Sequence, residues 1–200
     1  MSFPSTPILD TFNRANEGPP PSANWASSGY WIASSNNLKV VSNQCVPIFA
    51  NGESYWSNTT FGPDSEAYCS VTGSTESIHC VRLSNPGHGT SDGYFVDWEG
   101  GKAFIERMDN GSATLLGALI AVAFGSGDVL GVSAVGSSIS AHRNGSSIGT
   151  RTDATYNSAG FVGLLASAAV DDFGGGTYVK SPRRFTNTLG IRSPVRYDVR

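Results

Sequence analysis

An antiparallel all-β sandwich is the fold this sequence predicts, on three observations. The composition suits strands and turns: 24 of the 200 residues are Gly and only 14% are charged, while Lys, Glu and Met are scarce. Apolar residues alternate with period two in segment after segment. Turn signals separate these segments at intervals of about 8–12 residues, the spacing of a sandwich or barrel. The length suits one domain with a sizeable core.

In chain order, residues 1–7 carry Pro4 and Pro7 and read as a short extended arm. The run Gly18–Ser22 reads as a rigid surface loop. Leu38 and Val40 alternate with Lys39 and Val41; Tyr94, Val96 and Trp98 alternate with Phe95 and Asp97. Leu130, Val132 and Ala134 alternate with Ser133 and Val135, and Ile139 and Ala141 with Ser140 and His142. Each segment predicts a strand with one buried face. Asn144–Gly145 is the strongest hairpin signal, joined by Asn51–Gly52, Asn110–Gly111 and Gly127–Asp128. No stretch has a helical pattern. The sandwich is expected to span residues 8–176, closing at Val170–Phe173 before a glycine run, with residues 177–200 as a tail.

Charge divides along the same line. The tail holds six basic residues against one acid, while the body holds seven basic residues against fifteen acidic ones. The longest apolar run, Ala113–Phe124, is shorter than the about 20 residues of a membrane span, so no membrane partner is expected. The N-terminus shows no secretory pattern, which predicts a protein that stays in the cytoplasm or leaves by lysis. Cys45, Cys69 and Cys80 are too few for a disulfide scaffold. Cys69 and Cys80 could pair across a hairpin at Gly73–Ser74, but buried free thiols are the preferred expectation.

Several phrases then stand in a recognisable order: Asp10-x-Phe12-x-Arg14 with Trp25; Gly93-Tyr94; Phe104-Ile105-Glu106-Arg107; Gly127-Asp128-x-Leu130-x-Val132; Asn144-Gly145; Asp153-x-x-Tyr156-x-x-x-Gly160-x-x-Gly163; and Asp171-Asp172-Phe173. Over residues 8–176 the chain resembles the concanavalin A-like lectin/glucanase superfamily, in particular its laminin-G-like jelly rolls. The resemblance implies two antiparallel sheets of six or seven strands, with Asp10–Phe12 beside Asp172–Phe173. The superfamily includes glycoside hydrolases, sugar-binding and adhesion modules, and coat or tail components of bacteriophages, so function has to be argued from residues.

Glycoside hydrolysis needs two carboxylates about 5–9.5 Å apart. The glucanase branch of the superfamily supplies them as Glu-x-Asp-x-x-Glu on one strand. None of the six glutamates, Glu17, Glu53, Glu66, Glu76, Glu99 and Glu106, stands in that pattern. Asp97-Trp98-Glu99 is the nearest, but no third acid completes it and Gly100–Gly101 suggests a turn. The expectation is no catalytic residue and no enzyme. His79 and His142 read as structural, with His142 facing solvent, and no zinc-type Cys/His spacing is present. The resemblance also implies a structural calcium where the first and last strands meet, with Asp171 or Asp172 as ligand. The preferred expectation is instead an aspartate bonded to turn backbone, and no cofactor.

Trp31, Trp56, Tyr94 and Trp98 are candidates to stack on a sugar. One member of Tyr30–Trp31 and one of Tyr55–Trp56 must face outward, because alternation cannot bury both. In the tail, apolar residues interleave the arginines. Arg183, Arg184, Phe185, Ile191, Arg192, Val195, Arg196 and Tyr197 suit an extended segment docking on a partner protein rather than a nucleic-acid arm or a disordered end. The sequence therefore reads as a non-enzymatic structural protein of a bacteriophage virion, a capsid decoration or minor tail component whose partners are other virion proteins or copies of itself. The alternative is a carbohydrate-binding or adhesion module for a bacterial surface glycan.

Overall fold

The computed structural model describes residues 3–27 and 37–178. Their strands, in chain order, are β1 (Ile8–Asp10), β2 (Trp25–Ala26), β3 (Leu38–Val41), β4 (Gln44–Pro47), β5 (Gly52–Trp56), β6 (Ser65–Val71), β7 (Ser77–Ser84) and β8 (Asp92–Glu99). They continue with β9 (Lys102–Asp109), β10 (Ser112–Leu115), β11 (Ile120–Ala121), β12 (Val129–Val135), β13 (Ser138–Arg143), β14 (Ser146–Thr152), β15 (Phe161–Ala166) and β16 (Val170–Thr177). No described residue is helical. Two eight-stranded antiparallel sheets form: β14-β13-β12-β6-β16-β4-β3 with β1 on β16, and β10-β9-β8-β7-β15-β5-β2 with β11 on β9.

This is a jelly roll, and its ends meet as the resemblance implies: Ile8 pairs with Gly174 and Asp10 with Phe173. Asp10 locks that seam. Its carboxylate accepts the Phe12 amide at 2.8 Å, the Trp25 indole at 2.9 Å and the two terminal guanidinium nitrogens of Arg14 at 2.6 and 3.0 Å. Asn144–Gly145 and Asn110–Gly111 take positive φ and close the β13–β14 and β9–β10 hairpins. The Gly73–Ser74 segment crosses from one sheet to the other instead of folding a hairpin, since β6 and β7 belong to different sheets. All three cysteines are buried, and none is in a disulfide.

The core lies between the sheets. Tyr94, Val96 and Trp98 of β8 and Leu130, Val132 and Ala134 of β12 face inward with Phe12, Trp25 and Phe173. Burying each large side chain stabilises by about 1.5–3 kcal/mol. A smaller apolar cluster, including Ile78, Phe95, Met108 and Leu165, lies on the other side of the second sheet. Residues 3–6 run across the outer face of the first sheet, where Phe3 is buried and stacked on His142 with ring centroids 3.9 Å apart.

Candidate functional site

Because β8 turns Tyr94, Val96 and Trp98 inward, its alternate residues Phe95, Asp97 and Glu99 point outward. Register sets their neighbours. Asp97 stands between Phe104 of β9 and Ile78 of β7, and Phe95 between Glu106 and Cys80. Tyr55 and Phe161 lie farther across the same face with their rings 5.0 Å apart. One end of the face is acidic. Carboxylate oxygens of Glu76, Asp97 and Glu99 all lie within 4.8 Å of one another. No ion pair found among the described residues involves these three or Glu106.

The electrostatics follow from that placement. Burial, then the nearby Glu76, Glu106 and Glu99, pushes the Asp97 carboxyl up to about 8. Asp97 therefore holds its proton at neutral pH. Burial also raises the Glu106 carboxyl. Asp97 Oδ1 and Glu106 Oε2 are buried without a hydrogen-bond partner, whereas the Ser167 hydroxyl stands 2.9 Å from Glu76 Oε2. The patch combines a proton donor, neighbouring carboxylates and the half-buried ring of Phe104. Such a set suits a ligand rich in hydroxyl groups, each of which can donate to a carboxylate.

Other sequence-predicted positions lie elsewhere. Trp56, Tyr94 and Trp98 are 6%, 0% and 0% exposed in the core, so they offer no face to a sugar. This corrects the stacking expectation: alternation does turn one of Tyr55 and Trp56 outward, but it is Tyr55. Tyr94 also points its hydroxyl to Asp153 at 2.6 Å. Trp31 lies outside the described residues, as do Arg183, Arg184, Phe185, Ile191, Arg192, Val195, Arg196 and Tyr197. Asp171 accepts the Asp172 amide at 3.0 Å, and Asp172, at φ +50°, lines a groove of about 460 Å³ on the first sheet. The seam carboxylate beside them, Asp10, already has both oxygens engaged by its own chain.

The histidines divide. His79 is buried with Nε2 3.1 Å from Cys69 Sγ, and burial lowers it to about 3, which keeps it neutral. His142 is 9% exposed rather than facing solvent, because Phe3 covers its ring. Sequence reasoning missed Glu76 and Glu106 as neighbours of Asp97. Glu76 precedes the adjacent strand, and only the β7–β8 and β8–β9 registers bring these acids beside β8.

No protein-family model matches the chain, and no curated protein matches it. Solved structures share its fold. The carbohydrate-binding module CBM66 from Bacillus subtilis is 13% identical, with 77% of this chain and 94% of that one covered and a TM-score of 0.59. A β-1,3-1,4-glucanase (lichenase) derived from a mouse hindgut metagenome is 11% identical, with 85% and 98% covered and a TM-score of 0.58. The Bacillus licheniformis β-glucanase is 11% identical, with 87% and 97% covered and a TM-score of 0.57. The chain thus has the concanavalin A-like jelly-roll fold. The expectation that it is no enzyme is corrected by the same finding. Glycoside hydrolases share this fold, and a third acid, Glu76, lies beside Asp97 and Glu99 in space though not in sequence.

Proposed function

We propose that this protein recognises carbohydrate at the acidic end of the outer face of the second sheet. The observation that carries the reading is the mutual approach of Glu76, Asp97 and Glu99 within 4.8 Å, where burial and the neighbouring acids push the Asp97 carboxyl up. A sugar hydroxyl donates to a carboxylate and accepts from a carboxylic acid, so the cluster offers both polarities to one ring. Phe104 and the Tyr55–Phe161 pair supply apolar surface for the C–H face of a sugar. The fold shared with a carbohydrate-binding module supports the same class of ligand. The test is titration of the full chain with laminarin and with mixed-linkage β-glucan oligosaccharides. Glu99→Gln and Asp97→Asn are expected to weaken binding at least about tenfold, a loss of about 1.4 kcal/mol each. Unchanged affinity in both variants rejects the reading.

The raised Asp97 carboxyl favours a second reading, hydrolysis of a glycosidic bond. Asp97 is placed to give its proton to the leaving oxygen, and Glu99 or Glu76 to meet the charge developing at the anomeric carbon. Carboxylate oxygens within 4.8 Å of one another leave no room for an intervening water, as a retaining mechanism requires. Reducing-end release from β-glucan by the wild-type chain, lost in Asp97→Asn even at oligosaccharide concentrations that saturate the variant, separates this reading from simple recognition. A structural role in a bacteriophage virion draws its main support from the basic, apolar tail of residues 177–200. Incorporation of a chain lacking residues 181–200 into particles tests it.

A further inference from the structure

The outer face of the first sheet holds a second set of ligand-binding groups, covered by the chain's own N-terminus. Alternation places Glu66 and Tyr68 of β6 outward, with Ser133 of β12 and His142 of β13 on the same face. Gly131 lies between Tyr68 and His142 in register, and a side chain there would collide with the Phe3 ring. The result is a trough with aromatic walls.

Residues 3–6 fill that trough. Phe3 stacks flat on His142, 8° from parallel, and meets Tyr68 edge-on at 5.9 Å. Glu66 Oε1 accepts the amides of Ser5 and Thr6 at 2.5 and 2.7 Å and their hydroxyls at 3.2 and 2.8 Å. The Tyr68 hydroxyl donates to the Thr6 carbonyl at 2.7 Å. The fit is one-sided. Glu66 is 0% exposed, yet its Oε2 has no partner, and neither does the buried Nδ1 of His142. His142 Nε2 stands 2.8 Å from Ser133 Oγ. Buried polar atoms left unpaired are uncommon and costly, and here both belong to the surface under one short segment.

We infer that residues 3–6 are a strap over a cryptic carbohydrate-binding site, in which the Phe3 ring and the Ser5 and Thr6 hydroxyls stand where a sugar's apolar face and hydroxyls bind. A polyhydroxylated ring meets the unpaired atoms that the strap leaves: two adjacent hydroxyls can donate to both oxygens of Glu66, while another reaches His142 Nδ1. The groove of about 460 Å³ beside Phe3 and Pro4 extends the trough toward Asp172 and leaves room for a second ring. The inference does not rest on the acidic patch of the second sheet.

The experiment compares the full chain with a chain lacking residues 2–6, both checked for cooperative unfolding, on an immobilised panel of neutral oligosaccharides. The truncated chain is expected to bind at least one panel member tenfold or more tighter than the full chain. Glu66→Gln in the truncated chain is expected to remove that gain, Thr114→Ala on the exposed strand β10 to leave it, and the synthetic peptide Ser-Phe-Pro-Ser-Thr-Pro to compete with it. If the truncated chain does not fold, Phe3→Ala in the full chain loosens the strap and is expected to give a gain of threefold or more. An unchanged panel profile in the folded variant overturns the inference. So does a gain abolished by Glu99→Gln but not by Glu66→Gln, or binding of the peptide with no oligosaccharide bound.

Discussion

On the outer face of the first sheet, the fully buried carboxylate of Glu66 meets four donors from residues 5 and 6. On the outer face of the second sheet, Asp97 has a buried oxygen with no donor and lies among Glu76, Glu99 and Glu106. Burial penalises the charged form of any carboxylate. At Glu66 the chain supplies the donors itself, from residues 5 and 6. A site that supplies more acids makes the carboxyl hold its proton and leaves its hydrogen-bonding capacity for a ligand. The contrast separates a surface largely engaged by the chain itself, with Glu66 Oε2 and His142 Nδ1 left over, from one whose acids face few donors of their own.

Both faces hang on one core, so the largest effect breaks them together. Trp98→Ala removes a fully buried indole behind the acidic patch and is expected to destabilise the fold by about 3–5 kcal/mol, measured by urea denaturation. Smaller substitutions should split the faces by sign. Glu66→Ala strands the Ser5 and Thr6 donors and is expected to cost about 1–3 kcal/mol. Asp97→Asn is expected to stabilise instead, in a pH-dependent way. The Asp97 carboxyl is raised from 3.8 to about 8, so the folded state holds its proton longer than the unfolded state does. Wild-type stability from this group is present below pH 3.8 and is lost as pH rises toward 8. The advantage of Asp97→Asn should therefore be small near pH 4, grow to about 1–3 kcal/mol by pH 8, and then level off. An advantage that shrinks as pH rises contradicts the buried-acid picture.

The smallest effect reads the strap. Burial lowers His142 from 6.5 to about 4. Its contribution to stability is therefore full above pH 6.5 and falls away as pH drops through 6.5 toward 4. Removing residues 2–6 uncovers the ring, and the His142 titration followed by NMR is expected to move back up toward 6.5. His79, buried in the core beside Cys69, should not move. An unmoved His142 would mean that Phe3 contributes little to its burial.

Much of the fold was legible in the sequence, and the reason is local. The alternation of Tyr94, Val96 and Trp98 with Phe95 and Asp97 fixes which residues share a face, because side chains on a strand alternate whatever surrounds them. Asn144–Gly145 marks its hairpin because positive φ at two successive residues demands that chemistry. The pairing of Asp10 with Phe173 was legible only through the resemblance. Tertiary structure alone decided the rest. Periodicity says that Tyr55 and Trp56 point opposite ways but not which one meets the core. It places His142 opposite the core-facing Ala141 yet cannot see Phe3, 139 residues earlier in the chain, close over it. The acidic patch needs Glu76 and Glu106 brought beside Asp97 by strand register, and the upward shift of the Asp97 carboxyl comes first from burial and then from those neighbours. Chain order carries the faces of each strand; what covers a face, and what charge it holds, depends on segments that meet only when the two sheets close.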